Sequence, residues 1–175
     1  MIILVTRTKL QFQDMVSVSF YEPDYVPDSR LIYSVVAAKY FDKWVYVRHH
    51  QRNTFEIPGG HIEDNETPDE AAGRELIEET GALDFNMVCV STYSVTIDSE
   101  TRFGKLYFAQ IFKMGPVPDT SEIAEVTFLD HLPEQNPFSD IFDSRGRPGD
   151  MLEADLITHF APDFAAPFVS HPRRQ

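Results

Sequence analysis

A chain of 175 residues, 42% hydrophobic and 25% charged, has the length and apolar content for one folded domain, and those numbers exclude wholesale disorder. A formal net charge of −13 argues against duplex nucleic acid, whose binding relies on Lys and Arg neutralising phosphates; a small phosphorylated ligand remains open if divalent cations bridge it to an acidic site. The single cysteine, Cys89, excludes an intramolecular disulfide, and no run reaches the length of a membrane span, so the expectation is a cytoplasmic protein with no membrane partner.

Two β-favouring pieces, IILVT and MVSVSF, lie within Met1–Phe20. Glu22–Ser29 carries Pro23 and Pro27 and reads as a loop. Leu31–Tyr40 is nearly continuous in apolar residues, the pattern of a strand buried on both faces. A hairpin turn at Asp42-Lys43 and a returning strand over Trp44–Arg48 follow, then a polar, basic stretch from His49 to Asn53. At Pro58-Gly59-Gly60 the paired glycines permit a sharp turn and a close backbone approach. Thr67-Pro68-Asp69-Glu70 is a capping box with Pro at the first helical position, and Gly81 ends that helix.

Further strands are expected at Asn86–Tyr93 and Lys105–Phe112, separated by a polar loop over Asp98–Gly104. Gly115–Ser121 is a loop, Glu125–Leu129 a short strand, and Pro133–Pro148 irregular. Asp150–Phe160 has helical spacing, and residues 161–175 read as a frayed tail. Without an internal repeat or linker, the pattern predicts one α/β domain over residues 1–175 with a mixed sheet.

The helix carries the chemistry. At about 100° per residue, Glu75, Glu78 and Glu79 share roughly a third of its circumference. Leu76, Ile77 and Thr80 lie opposite as the docking side, and Ala71 and Ala72 fall between the glutamates. Arg74 is four residues before Glu78 and can pair with it. An exposed acidic face is the commoner fate of such a helix, yet each like-charged pair at this spacing costs about 0.2–0.5 kcal/mol. Three clustered carboxylates suit Mg²⁺ or Mn²⁺, hard cations that prefer oxygen. Glu66 can join them if the preceding loop folds back, and the Gly60 carbonyl is a further oxygen. Such a site equips a protein for phosphoryl chemistry.

Gly60, five residues, Glu66, seven residues, then Arg74-Glu75-Leu76-Ile77-Glu78-Glu79-Thr80-Gly81-Ala82 resembles the complete Nudix box, with Ala82 a small version of its last aliphatic position. The resemblance implies the Nudix α/β/α sandwich with a mixed central sheet. It also implies Mg²⁺-dependent hydrolysis of a nucleoside diphosphate linked to another group, with Mn²⁺ as a substitute ion. Carried over by position, Glu75, Glu78 and Glu79 are metal ligands with the Gly60 carbonyl, Arg74 orients a glutamate, and Glu66 supports them. The general base varies within the family: here it is Glu78, or a glutamate on a later loop, for which Glu122 and Glu125 are the candidates.

The compact chain and the FEIPGG motif resemble the MutT-like branch, which cleaves nucleoside triphosphates to a monophosphate and pyrophosphate, and the layout resembles enzymes acting on 8-oxo-dGTP. The alternatives are hydrolysis of ADP-ribose, a dinucleoside polyphosphate or a nucleotide sugar, and, in another class, a catalytically silent nucleotide-binding domain. Arg48, His49, His50 and Arg52 are candidates for outer phosphates, Phe55 for stacking a base, and Asn136 sits roughly where MutT-like enzymes place a base-reading Asn. The expected partner is a small nucleotide; monomer and homodimer both stay open.

Overall fold

The computed structural model describes residues 3–5, 16–97 and 99–130. The helix expected over Asp150–Phe160, the irregular stretch and the tail beside it, and Asn136 lie outside the described residues. Among the described residues the elements run β1 (Ile3–Val5), β2 (Val16–Tyr21), β3 (Leu31–Tyr40), β4 (Lys43–His49), β5 (Gly59–His61), α1 (Pro68–Thr80), β6 (Ala82–Ile97), β7 (Glu100–Met114) and β8 (Ile123–Leu129). This is the expected α/β fold with a mixed central sheet. No described helix is long and apolar enough to cross a membrane.

The sheet order is β1-β2-β6-β7-β3-β4-β8, with β5 also paired to β3. All these pairings are antiparallel except β3 with β7, which run parallel. Strand β3 shares its other edge between two partners. Ala38–Tyr40 pair with β4, whereas Tyr33–Val35 pair with β5. The strands β3 and β4 therefore diverge, and the chain between β4 and β5 fills the wedge. Val47 exchanges both backbone hydrogen bonds with Glu56, and the Val36 N–H donates to the Pro58 carbonyl at 2.8 Å.

Both faces of β3 are buried, which its apolar run anticipates. On one face Val36, Ala38, Val45, Tyr107, Ala109 and Ile111 pack with Ala72 and Leu76 of α1. On the other, Tyr33, Val35, Ala37, Trp44, Tyr46, Tyr93 and Leu106 form a second, aromatic-rich cluster. Burying a side chain such as Leu76 stabilises the fold by about 1.5–3 kcal/mol.

Helix α1 starts and stops where local chemistry dictates. The Thr67 hydroxyl accepts from the Glu70 N–H at 3.2 Å, and the Glu70 carboxylate accepts from the Thr67 N–H at 2.8 Å. Gly81 ends the helix in the left-handed region at φ 74°. A side chain there would also meet the Gly115 carbonyl oxygen at 2.6 Å. Two side chains pin the first turn to the sheet: Ser34 donates to the Pro68 carbonyl at 2.8 Å, and the Tyr107 hydroxyl donates to Asp69.

Several expectations are corrected. Ile77 is 42% exposed and does not anchor the helix. Ala71 and Ala72 are fully buried rather than lying bare between glutamates, because small residues let the helix approach the sheet. The β3–β4 turn is Phe41-Asp42, one residue earlier than expected, with Phe41 at φ 52° and Lys43 already in β4. Glu100–Gly104 belong to β7, not to a loop: backbone pairing carries the β6–β7 hairpin on to Ile97↔Glu100 through polar residues. Gly59 and Gly60 form strand β5 rather than a tight turn.

Candidate active site

A cleft of about 400 Å³ opens where β3 and β4 separate. Glu75, Glu78 and Glu79 of α1 form one wall, and Gly59 to His61 of β5 line it beside Tyr33. His49 and Arg52 enter from the end of β4, and Pro118 to Glu122, just before β8, complete the enclosure.

The buried stripe of α1 explains how the glutamates differ. Ala72, Leu76 and Thr80 face the sheet, and Glu75 and Glu79 flank that stripe, so both are drawn inward. Glu79 is only 6% exposed, whereas 54% of the Glu78 side chain is open to solvent. One Glu79 oxygen accepts from the Gly59 N–H at 2.9 Å and the other lies 3.2 Å from His49 Nε2. That hydrogen bond, against the opposing effects of burial and Arg52, raises the His49 pKa above the ordinary histidine value.

Arg74 ties the segment together. Its Nε and Nη2 donate to the two oxygens of Glu66 at 2.8 and 2.9 Å, and Nη1 donates to Glu75 at 2.7 Å. Nη2 also donates to the His61 carbonyl at 3.0 Å, which locks the helix to β5. The expected pairing with Glu78 is the longest of these contacts, at 3.4 Å. The forked donation from Arg74 holds the Glu66 carboxyl below its usual range, helped by the Glu63 N–H.

Glu75 goes the other way. Burial and the neighbouring Glu79 push its pKa up to about 7, despite the donation from Arg74. Gly60 is bare because a Cβ there would overlap the Glu75 carboxylate. The candidate donors expected from the sequence, three carboxylates and the Gly60 carbonyl, are all oxygen, a set that would suit a hard divalent cation. The cradle at Gly60 and the raised Glu75 pKa fit such an ion, since a cation would favour the ionised carboxylate. Among the described residues no three acidic, His or Cys side chains already converge as a cation cage. Glu75 and Glu79 lean instead on Arg74, Gly59 and His49.

Of the other sequence candidates, Glu122 lines the cleft, just before β8. Glu125 sits on β8 in an ion pair with Arg48 at 3.0 Å, and neither lines the cleft. Arg52 lines it with its guanidinium paired to Glu56. Phe55 is 43% exposed and absent from the walls, and Asn136 lies outside the described residues. Sequence reasoning missed the contact of His49 with Glu79 and the shelf made by Tyr33 and His61, whose rings lie 4.4 Å apart. Strand alternation offered one signal: His49 shares its face of β4 with Val45, which packs on α1.

A NUDIX domain family model matches residues 34–160. The chain is 30% identical over 123 residues to a protein of Bacillus subtilis (strain 168) named "Putative 8-oxo-dGTP diphosphatase YtkD", covering 70% of this chain and 76% of that one. It also resembles the crystal structure of the Bacillus subtilis pyrophosphohydrolase BsRppH, with a TM-score of 0.62 and 26% identity over 80% of this chain and 89% of that one. Nudix hydrolases use divalent metal ions and act on small nucleotides. Family model, relative and fold agree with the box and its cleft: the chain belongs to the Nudix family and is a Nudix pyrophosphohydrolase.

Proposed function

We propose that this enzyme hydrolyses a nucleoside triphosphate to a monophosphate and pyrophosphate, with 8-oxo-dGTP as the candidate substrate. The observation that carries the substrate is the 30% identity, over most of both chains, to a relative named for 8-oxo-dGTP. Water adds across one phosphoanhydride: a P–O bond forms, another breaks, and the proton of the water must be taken up.

Glu75, Glu78 and Glu79, with the Gly60 carbonyl, would hold Mg²⁺, for which Mn²⁺ can substitute. Bound there, the ion supplies charge neutralisation for the phosphates and acidification of water. Arg74 keeps Glu75 in place and fastens the helix to β5 through the His61 carbonyl. Among the described residues Glu78 is tethered by its 3.4 Å contact with Arg74, and it is the most exposed of the three, so its carboxylate is the freest to accept the proton. Glu122, which also lines the cleft, is the second position for that role.

The test is a nucleotide panel with Mg²⁺, including 8-oxo-dGTP and ADP-ribose, with the products identified. Nucleoside monophosphate and pyrophosphate are expected; AMP and ribose phosphate as the dominant products would sink the proposal. Glu78→Gln should lower kcat by about 10²–10⁴-fold. Unchanged turnover in that variant would remove the role given to Glu78.

A further inference from the structure

Among the described residues, a side chain outside the box reaches a box glutamate from the sheet. His49, the last residue of β4, places Nε2 3.2 Å from Glu79 Oε1. Glu79 Oε2 accepts from the Gly59 N–H at 2.9 Å, so two elements outside the helix each hold one oxygen. At this point the pairing of β4 with β8 shifts register, from Arg48↔Glu125 to His49↔Ile123, and bypasses Ala124. A bulge of this kind re-aims the neighbouring side chains and is common beside active sites. Arg48 points away to Glu125, while His49 faces α1 with 17% of its side chain exposed.

We infer that His49 is a positioning residue for the cation site. By donating Nε2–H to Glu79 Oε1 it fixes the plane of that carboxylate before the ion arrives. The inference rests on reading Glu79 as a cation ligand. A carboxylate oxygen accepts about two hydrogen bonds, so one protein donor on each leaves one position per oxygen for a cation. Without His49 the terminal torsion of Glu79, which is intrinsically broad, is held from one side only. A cation must then order the group as it binds. Loss of such outer partners weakens metal affinity by about 10–100-fold. A neutral imidazole suffices, because the role needs one N–H donor and no proton transfer.

The experiment measures Mn²⁺ binding to the protein alone, from the electron paramagnetic resonance signal of the free ion, with thermal melts of every variant. His49→Leu is expected to bind Mn²⁺ about tenfold or more weakly. His49→Gln, whose amide reaches the same oxygen, should stay within about threefold of wild type, while the shorter His49→Asn follows Leu. In turnover assays the Mg²⁺ midpoint should move and the nucleotide KM should not. Wild-type Mn²⁺ affinity in His49→Leu overturns the inference, as does a folded His49→Gln that binds as weakly as Leu. If the Leu variant does not fold, equal affinities of the Gln and Asn variants overturn it. Glu79→Gln separates the two levels. Unchanged affinity there overturns the ligand reading itself, whereas a weakened Glu79→Gln beside an unaffected His49→Leu overturns only the role of His49.

Discussion

A methyl group at residue 60 would overlap the Glu75 carboxylate, so Gly60→Ala must displace a box glutamate that Arg74 holds at 2.7 Å. The expected result is Mn²⁺ binding weakened by about tenfold or more, with a stability loss of about 1–3 kcal/mol, read by titration and thermal melts. Glu75 itself offers a pH test in the metal-free protein. Its carboxyl titrates at about 7 when folded, against 4.5 as the reference value. A raised folded pKa contributes stability that is complete below the reference value and is lost as pH climbs through 7. The shift corresponds to about 3 kcal/mol at most. Glu75→Gln in EDTA should therefore melt higher than wild type at pH 8, with the difference shrinking towards pH 5. Parallel melting curves across that range would rule out a strained buried carboxylate. Added Mg²⁺ should stabilise wild type more at pH 8 than at pH 6, since binding needs the ionised form.

Helix α1 is the element best predicted from its own residues. Its cap, first-turn Pro and terminal Gly act within a few positions of one another, so they are legible without tertiary context. Thr67→Ala removes the hydroxyl that caps the Glu70 N–H and should cost about 1 kcal/mol in chemical denaturation, with no change in the denaturant slope. The orientation of the helix was less legible. Ile77 and Ala72 trade the places their hydropathy suggests, because the closeness of the sheet rewards small residues at the contact. Strand ends were misjudged for a related reason: backbone pairing extends β6 and β7 through polar residues whose side chains need no core. The box spacing announced the glutamates, yet their unequal burial depends on which side of α1 meets β3. Contacts made across elements are set by tertiary packing: strand alternation puts His49 on the face of β4 that meets α1 without naming Glu79 as its partner, and the reach of Arg74 to the His61 carbonyl has no local signature.

At the scale of the molecule, a net charge of −13 sets what the protein meets in solution. Neither heparin nor duplex DNA should retain it at about 0.15 M salt, and retention there would contradict the small-nucleotide reading. The parallel pairing of β3 with β7 carries a further consequence, one of timing during synthesis. Leu31 to Tyr40 find their neighbours at Phe103 to Ile111, so the central strand waits for most of the domain to be made. The acidic helix leaves the ribosome before half of its floor exists, since Tyr107, Ala109 and Ile111 follow it in the chain. Pairings this distant close late and slowly. A nascent chain stopped before β7 would therefore carry every residue of the Nudix box with an incomplete surface to seat it on.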